Sequence, residues 1–283
     1  SLGPGHPCFI IAEGGLNHNG DPVLAADLIA QAAACGADAI KLQTYTPAEL
    51  FPPDHPDYHQ FQQCVFSRET YVHLQSVAAA HRILLLSTPF DEASADLLES
   101  LDLPAFKIGS GELTHLAFLR YVAQKGKPIL LSTGMSTPAQ VDRAVEAIQS
   151  TRPVRLALLH CVSAYPCPVE QANIRIVAQW MRRYPQCPIG YSDHTPTLTA
   201  ALAAVALGAC IIEKHFTLSH TLPGWDHFFS YDPSQFKELV QAIRETEAVL
   251  GSERIGLQPD ETAIEAIARR ALYTRTELPA GHV

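Results

Sequence analysis

The sequence lacks the features that mark membrane, exported and disulfide-rich proteins. No stretch of its 283 residues approaches the roughly 18 uninterrupted apolar residues of a membrane span, and the N-terminus has neither a basic region nor a continuous apolar run. We therefore expect a soluble, cytoplasmic protein with no membrane partner. Seven cysteines occur without a CxxC pair, which predicts free thiols in a reducing compartment rather than disulfides.

The sequence also lacks a basic stripe. Its formal net charge is -9 at pH 7, which argues against nucleic acid as a partner because phosphate backbones require clustered cations. A small anion can still bind where a few cations lie close together. The candidates are the three lysines at predicted strand ends: Lys41, Lys107 and Lys214.

Eight short apolar runs are present, and each is followed by polar or ionisable residues. The runs cover residues 8–12, 39–42, 83–86, 105–108, 128–131, 156–159, 188–191 and 210–212. Segments with helical periodicity cover residues 23–35, 69–80, 92–100, 116–124, 138–149, 173–183, 197–207 and 233–250. Continuous apolar strands are typical of a parallel sheet covered by helices, so the α/β pattern predicts a (β/α)8 TIM barrel over residues 1–250. The alternative is an open doubly wound sheet, which concentrates its site at one switch point.

Two segments fall outside the strand–helix repeat. Residues 46–68, after the second run, are rich in proline, histidine and aromatic residues, and their length is typical of a lid, an interface element or a disordered loop. Residues 251–283 change character again. They are interpreted either as a linker into further structure or as a docking tail on the barrel.

Two histidines follow the seventh and eighth runs. Because those strands are neighbours in a barrel, the imidazoles of His194 and His215 can converge above its rim. Imidazoles suit first-row divalent ions, and an incomplete ligand set leaves positions for substrate and water. Asp226, on the loop after the eighth run, is a third candidate ligand. Packing, or solvation for Asp226, is the ordinary alternative for each residue alone.

Other strand ends carry groups suited to an anion and a sugar. Two lysines and four hydroxyl residues form a candidate anion site: Lys41, Lys107, Thr88, Ser110, Ser132 and Ser192. Residues of the type that hold sugar hydroxyl groups are Glu13, Gln43, Glu112 and Tyr165. Buried carboxylates cost free energy unless they are paired, so we expect both glutamates to meet a cation or a ligand. His18 and His160 are weaker candidates, for which a structural role is expected.

Nine ordered motifs resemble the sialic acid synthase family over about residues 8–250. They lie at residues 9–13, 17–20, 41–44, 87–90, 106–112, 132–135, 158–161, 190–195 and 213–216. The resemblance implies condensation of phosphoenolpyruvate with an N-acylated amino sugar such as N-acetylmannosamine, giving a nonulosonic acid and phosphate. It also implies a divalent metal, manganese first, with magnesium or cobalt as alternatives.

The resemblance also implies roles for individual residues. The metal ligands are His194 and His215. The phosphoenolpyruvate-binding residues are Lys41, Thr88, Lys107, Ser110, Ser132, Ser163 and Ser192. The sugar-binding residues are Glu13, Gln43, Tyr165 and Asp226. The catalytic set is Glu13, Glu112, His194 and His215, and whether Glu13, Glu112 or a metal-bound water moves the proton stays open.

Three departures from the family pattern bear on function. The family commonly carries a C-terminal antifreeze-like domain that completes a swapped dimer, and we expect this chain to lack it, which would weaken a homodimer. Residues 225–229 are bulky, which indicates a different sugar such as a diacetamido sugar, and Ser163 replaces the asparagine of some members. The alternative functions are a 3-deoxy-octulosonate phosphate type of synthase, which needs cations for a second phosphate, or an impaired barrel that acts as a binding module.

Overall fold

The computed structural model describes residues 2–3, 5–252 and 254–281. The chain divides into two compact units, Ser1–Leu250 and Gly251–Val283. Within the second unit, the helix α11 (Thr262–Ala268) follows a 3₁₀ turn at Pro259–Glu261. Residues 282 and 283 of the predicted tail lie outside the described residues.

The first unit is a closed barrel of eight parallel strands. The strands are β1 (Phe9–Gly15), β2 (Ala39–Thr44), β3 (Leu84–Pro89), β4 (Phe106–Ile108), β5 (Ile129–Ser132), β6 (Leu156–Cys161), β7 (Ile189–Asp193) and β8 (Ile211–His215). Since β1 pairs with β8, the sheet has no edge strand. The predicted (β/α)8 barrel is confirmed, and the open sheet is excluded.

Helices cover the outside of the barrel, and two short helices lie at its mouth. The outer helices are α1 (Pro22–Ala34), α4 (Arg68–Ala80), α5 (Glu92–Ser100), α6 (Leu116–Gln124), α7 (Pro138–Thr151), α8 (Arg175–Arg183), α9 (Thr199–Ala206) and α10 (Pro233–Leu250), and the short helices are α2 (Pro47–Leu50) and α3 (Tyr58–Gln63). The start of α1 is fixed by Asp21, whose side chain accepts a hydrogen bond from the Val23 amide at 2.8 Å. At α7, Thr137 and Gln140 form a reciprocal capping box. None of the helices within the described residues is long and apolar enough to cross a membrane.

Most strands continue beyond their apolar runs into the polar residues that follow. In β8, for example, the ladder to β7 continues through the pairs Ser192–Glu213 and Asp193–Lys214. The polar side chains therefore stand on rigid strand ends. Backbone groups at this depth need hydrogen-bond partners, and the neighbouring strands supply them.

Alternation along the strands decides which side chains face the barrel interior. The interior is filled by an apolar cluster that includes Ile11, Ala39, Leu86, Ala105, Leu130, Leu159 and Ile211. Successive strand residues point to opposite faces, so the residue two places further along each strand faces inward again. These residues are Glu13, Lys41, Thr88, Lys107, Ser132, Cys161 and Glu213. The polar site is thus the next layer of the barrel above its apolar filling.

The segment after β2 is built around aromatic residues. It forms α2 and α3, and the ring of Phe61 packs 4.9 Å from that of Phe51 and 5.5 Å from that of Tyr45. The loop after β1 approaches the end of α3 so closely that a Cβ on Gly20 would lie 2.0 Å from the Gln63 carbonyl oxygen. Only glycine fits there, so the segment is held directly against the barrel mouth.

Candidate active site

A cavity of about 520 Å³ opens at the carboxyl ends of the strands. All the residues to which the resemblance gives a role, except one, line it. They are Glu13, Lys41, Gln43, Thr88, Lys107, Ser110, Ser132, Ser163, Tyr165, Ser192, His194, His215 and Asp226. The cavity is therefore assembled from all eight strands and the loops that follow them.

Glu112 is the predicted site residue that the structure does not bring to the cavity. The residues after β4 form a 3₁₀ helix, Ser110–Thr114, so the alternation of the strand ends before Glu112. Its carboxylate lies 3.2 Å from Nδ1 of His115, an exposed side chain. The expectation that Glu112 stands beside the other site residues is corrected: its partner is a solvent-exposed imidazole.

Two lysines and two glutamates form a buried network at the base of the cavity. Lys41 Nζ lies 2.7 Å from Glu13 Oε2 and 3.8 Å from Glu213 Oε2. Lys107 Nζ donates a hydrogen bond to Glu213 Oε1 at 3.0 Å. All four side chains are at most 5% exposed, and the four formal charges sum to zero. The expected anion-binding lysines are therefore present, and carboxylates of the same cavity neutralise them.

The network shifts the pKa values of Glu213 and Lys41. Burial raises the pKa of Glu213, but Lys107 and Lys41 together lower it to about 2. Burial lowers the pKa of Lys41, and the carboxylates of Glu13 and Glu213 raise it to a net value above the ordinary one. Glu213 and Lys41 are therefore ionised at neutral pH.

Three serines complete the anion site on the side of β4, β5 and β6. Ser132 Oγ is buried and has no hydrogen-bond partner, so it is free to meet a ligand. A Cβ on Gly134 would lie 2.6 Å from Ser163 Oγ and 2.7 Å from Ser110 Oγ. Only glycine therefore allows both hydroxyl groups to approach this point, and the Gly134 amide donates to Ser110 Oγ at 3.0 Å.

The two candidate metal ligands are neighbours. The ring centroids of His194 and His215 are 5.3 Å apart, and the ring of Tyr165 packs 4.3 Å from that of His194. Nδ1 of His194 lies 2.7 Å from the Val162 carbonyl oxygen, so this nitrogen carries the proton and Nε2 has a free lone pair. Nδ1 of His215 is buried without an aligned hydrogen bond, 3.4 Å from Asp226 Oδ2.

Three predicted sugar-binding side chains converge around Gly15, where a bulge shifts the register of β1. A Cβ built on Gly15 would lie 3.3 Å from Asp226 Oδ2, 3.4 Å from Gln43 Nε2 and 3.4 Å from Glu13 Oε1. Its φ of +49° lies in the left-handed region that glycine adopts at no cost. The amide of Gln43 also donates to Glu13 Oε1 at 3.1 Å. This corner carries donors and acceptors suited to a polyhydroxyl ligand.

Three other candidates lie outside the cavity. Lys214, expected as an anion-binding cation, faces the helices because it stands one residue from the inward-facing Glu213; its Nζ is 2.8 Å from Asp193 Oδ2, so this expectation was wrong. His160 also faces outward, with Nε2 2.8 Å from the Ala172 carbonyl oxygen. His18 stacks on Phe66 at 4.2 Å, and burial lowers its pKa to about 4. Both histidines have the expected structural role.

Sequence reasoning missed two residues that line the cavity. Glu213 connects both lysines, and its position two residues from His215 indicated the same inward face. Cys161 lies with its sulfur 3.9 Å from His194 Nδ1. Burial raises the pKa of this thiol, but the interactions with His194 lower it to a net value below the ordinary one. The motif at residues 158–161 includes this cysteine, but no role was predicted for it.

Charged and polar groups gathered at the carboxyl mouth of a closed parallel barrel define a (β/α)8-barrel enzyme. The model of the NeuB family matches residues 28–255, and the chain belongs to that family. It is therefore a synthase-type enzyme, like the named relatives below.

Individual relatives cover nearly the whole chain. An uncharacterised protein of Methanocaldococcus jannaschii is 41% identical over 99% of this chain and 83% of its own length. The N,N'-diacetyllegionaminic acid synthase of Legionella pneumophila is 38% identical over 97% of this chain and 82% of its own length. The solved N-acetylneuraminic acid synthetase of Leptospira borgpetersenii, a complex with citrate, superposes with a TM-score of 0.88 at 33% identity, over 94% of this chain and 93% of that chain.

Proposed function

We propose that the protein condenses phosphoenolpyruvate with an unphosphorylated N-acylated amino sugar to give a nonulosonic acid and phosphate. The observation that carries this proposal is that one cavity joins three sets of groups. These are lysines beside a free hydroxyl, two adjacent imidazoles, and the polar corner at Gly15. Relatives named for N,N'-diacetyllegionaminic and N-acetylneuraminic acids support it.

The phosphoenolpyruvate half of the proposal rests on the buried lysines. The phosphate and carboxylate groups of this substrate are strong acceptors that can take over hydrogen bonds now made to Glu213. Ser132 Oγ has no partner to give up, so its bond to the ligand is a net gain. The hydroxyl groups of Ser110 and Ser163, which lie beside Gly134, add donors on the same side of the cavity. We therefore assign phosphoenolpyruvate to the space between Lys107 and Ser132.

The metal half of the proposal rests on the two imidazoles. A metal-binding histidine usually donates its other N–H group to a carbonyl or carboxylate, and His194 does so to Val162. His215 offers a buried nitrogen without an aligned partner. Within the described residues, no group of three or more histidine, cysteine, aspartate or glutamate side chains is arranged to hold a metal, so we assign the two imidazoles alone. A divalent ion held there, manganese first and magnesium or cobalt next, supplies Lewis acidity toward the sugar aldehyde.

The shape of the cavity mouth favours a sugar without a phosphate. Phe51 and Phe61 from the segment after β2 and Trp225 from the loop after β8 line the cavity, which Asp57 also lines. Among the described lining residues no arginine is present, and both lysines are paired with glutamates. A second phosphate would therefore meet no free cation. This distinguishes the proposed substrate from the phosphorylated sugars of 3-deoxy-octulosonate phosphate synthesis, and the aromatic wall suits acetamido methyl groups.

One residue lies where the proposed reaction needs a proton transfer. In that reaction, C3 of phosphoenolpyruvate bonds to the aldehyde carbon, water adds at C2, and the C2–O bond breaks to release phosphate. Glu13 stands at the junction of the two substrate subsites, because its carboxylate is 2.7 Å from Lys41 and 3.1 Å from Gln43. We assign to Glu13 the proton transfer between them. The ring of Tyr165 packs against that of His194 at the edge of the same cavity.

Isotope-labelled phosphoenolpyruvate tests the proposal. The protein is assayed with Mn²⁺, phosphoenolpyruvate labelled with ¹⁸O at the bridging oxygen, and either N-acetylmannosamine, its 6-phosphate or a 2,4-diacetamido-2,4,6-trideoxy sugar. We expect sugar-dependent phosphate release with the label retained in phosphate, because the C–O bond breaks. We also expect the 6-phosphate to be the poorest acceptor. Absence of release with every unphosphorylated sugar would refute the proposed function.

A further inference from the structure

Lys214 and Asp193 form a buried ion pair on the helix side of the barrel, directly behind the two proposed metal ligands. Their side chains are 2% and 0% exposed, and Lys214 Nζ lies 2.8 Å from Asp193 Oδ2. Each residue immediately precedes one of the two histidines, His194 after Asp193 and His215 after Lys214. At the ends of both strands, a charged residue that faces outward is therefore followed by a histidine that faces inward.

The ion pair also forms hydrogen bonds to the backbone of the residue that follows His194. Asp193 Oδ1 accepts a hydrogen bond from the Thr195 amide at 2.8 Å. Lys214 Nζ donates to the carbonyl oxygen of the same residue, Thr195. The ion pair therefore binds both the N–H and the carbonyl group of Thr195. These two bonds fix the backbone that immediately follows His194.

The lysine also reaches the segment that holds His215. Its Nζ lies 4.3 Å from the ring centroid of Tyr231, a distance typical of a cation–π contact. The amide of Tyr231 in turn donates to the His215 carbonyl oxygen at 2.8 Å. The Lys214 ammonium group therefore contacts Thr195, which follows His194, and Tyr231, which is hydrogen-bonded to His215. It touches neither imidazole.

We propose that Lys214 and Asp193 are positioning residues that set the spacing of His194 and His215 for a divalent ion. The inference rests on the metal assignment of the proposed function. Replacing outer-shell partners of metal ligands typically weakens metal affinity about 10- to 100-fold. A buried pair kept only for stability would instead affect unfolding and leave metal affinity unchanged.

The test is the charge-neutral double variant Asp193→Asn/Lys214→Met, because removing one partner alone leaves a buried unpaired charge. The dissociation constant of Mn²⁺ is measured by electron paramagnetic resonance of the free ion. That of phosphoenolpyruvate for the metal-free protein is measured by calorimetry. We expect the Mn²⁺ constant to rise about 10- to 100-fold. The constant for phosphoenolpyruvate should stay within about twofold, because neither Asp193 nor Lys214 lines the cavity.

The matched control is Tyr71→Phe, which removes a buried hydrogen bond of 2.6 Å to Thr44. We expect it to lower the unfolding temperature and to leave Mn²⁺ affinity unchanged. Wild-type Mn²⁺ affinity in the double variant, or equal weakening in Tyr71→Phe, would overturn the positioning role alone. Wild-type protein that binds no Mn²⁺ would overturn the metal assignment as well. If the double variant does not fold, Lys214→Arg, which keeps the charge and changes its hydrogen-bond geometry, is judged by the same constants.

Discussion

Lys107 on β4 donates a hydrogen bond to Glu213 on β8 across 3.0 Å. These strands stand four places apart in the closed eight-stranded barrel, so the bond spans the interior rather than joining neighbours. Breaking it therefore changes both the anion site and the stability of the barrel, and the two effects can be separated.

Lys107→Met is predicted to weaken phosphoenolpyruvate binding and to destabilise the fold. The variant leaves Glu213 as a buried charge whose one remaining cation, Lys41, lies 3.8 Å away, and breaking a buried pair in this way typically costs about 3–5 kcal/mol. The double variant Lys107→Met/Glu213→Gln removes both charges, so we expect most of the stability to return and the weak binding to remain. Chemical denaturation and the Michaelis constant for phosphoenolpyruvate measure the two effects. A normal Michaelis constant in the double variant would remove Lys107 from the anion site.

His215→Ala is predicted to abolish turnover and metal binding while the fold is retained. The site has two imidazoles, and losing one removes half of the proposed protein ligands. Metal content after dialysis, turnover and circular dichroism are the measurements. The control is His160→Gln, a buried histidine that faces the helices, which we expect to lower stability and keep metal content. Unchanged metal content in His215→Ala would contradict the assignment.

Ser132→Ala is predicted to affect kinetics and not stability, and Ser87→Ala is predicted to affect stability and not kinetics. Ser132 Oγ has no partner, so its removal should leave stability unchanged or slightly higher and raise the Michaelis constant for phosphoenolpyruvate about fivefold or more. Ser87 faces the helices and lies 2.7 Å from Thr44 Oγ1. Its removal should cost about 1 kcal/mol of stability with unchanged kinetics. The reverse pattern would show that the inward and outward faces of these strands are misassigned.

Acid sensitivity is predicted from Glu213. Its pKa is lowered from 4.5 in the unfolded chain to about 2 in the folded protein, because Lys107 and Lys41 outweigh the effect of burial. Between these values the unfolded chain binds a proton that the folded protein does not. The free energy of unfolding therefore rises with pH across this window and is lost as pH falls through it. Glu213→Gln should flatten that dependence by at most about 1.4 kcal/mol per pH unit. Equal slopes in both proteins would contradict the predicted shift.

The barrel could be predicted because each apolar run is followed by a polar change that marks a strand reaching its mouth. The ends of the apolar runs did not coincide with the ends of the strands. β8 extends to His215, three residues past the run, and its pairing with β7 continues through the polar pair Asp193–Lys214. Thirteen of the predicted residues line one cavity, because strand ends converge whatever the loops do.

Residue type alone did not reveal whether a side chain at a strand end faces the cavity or the helices. Lys214 and Glu213 are adjacent and both charged, and only the inward phase set by Ile211 separates the cavity residue from the structural one. Glu112 turned away because a 3₁₀ helix interrupts the alternation. The pairing of the lysines with Glu13 and Glu213 could not be predicted from the sequence either, because it joins four different strands.

The alternation of the strands has a consequence for how such enzymes diversify. Shifting β8 by one residue would turn Lys214 toward the mouth and His215 away from it, which removes a proposed metal ligand and adds a cation. The aromatic segment after β2 carries none of the predicted site residues, so its length can change without moving them. New acceptor preferences should arise by loop replacement on an unaltered ring of strand ends.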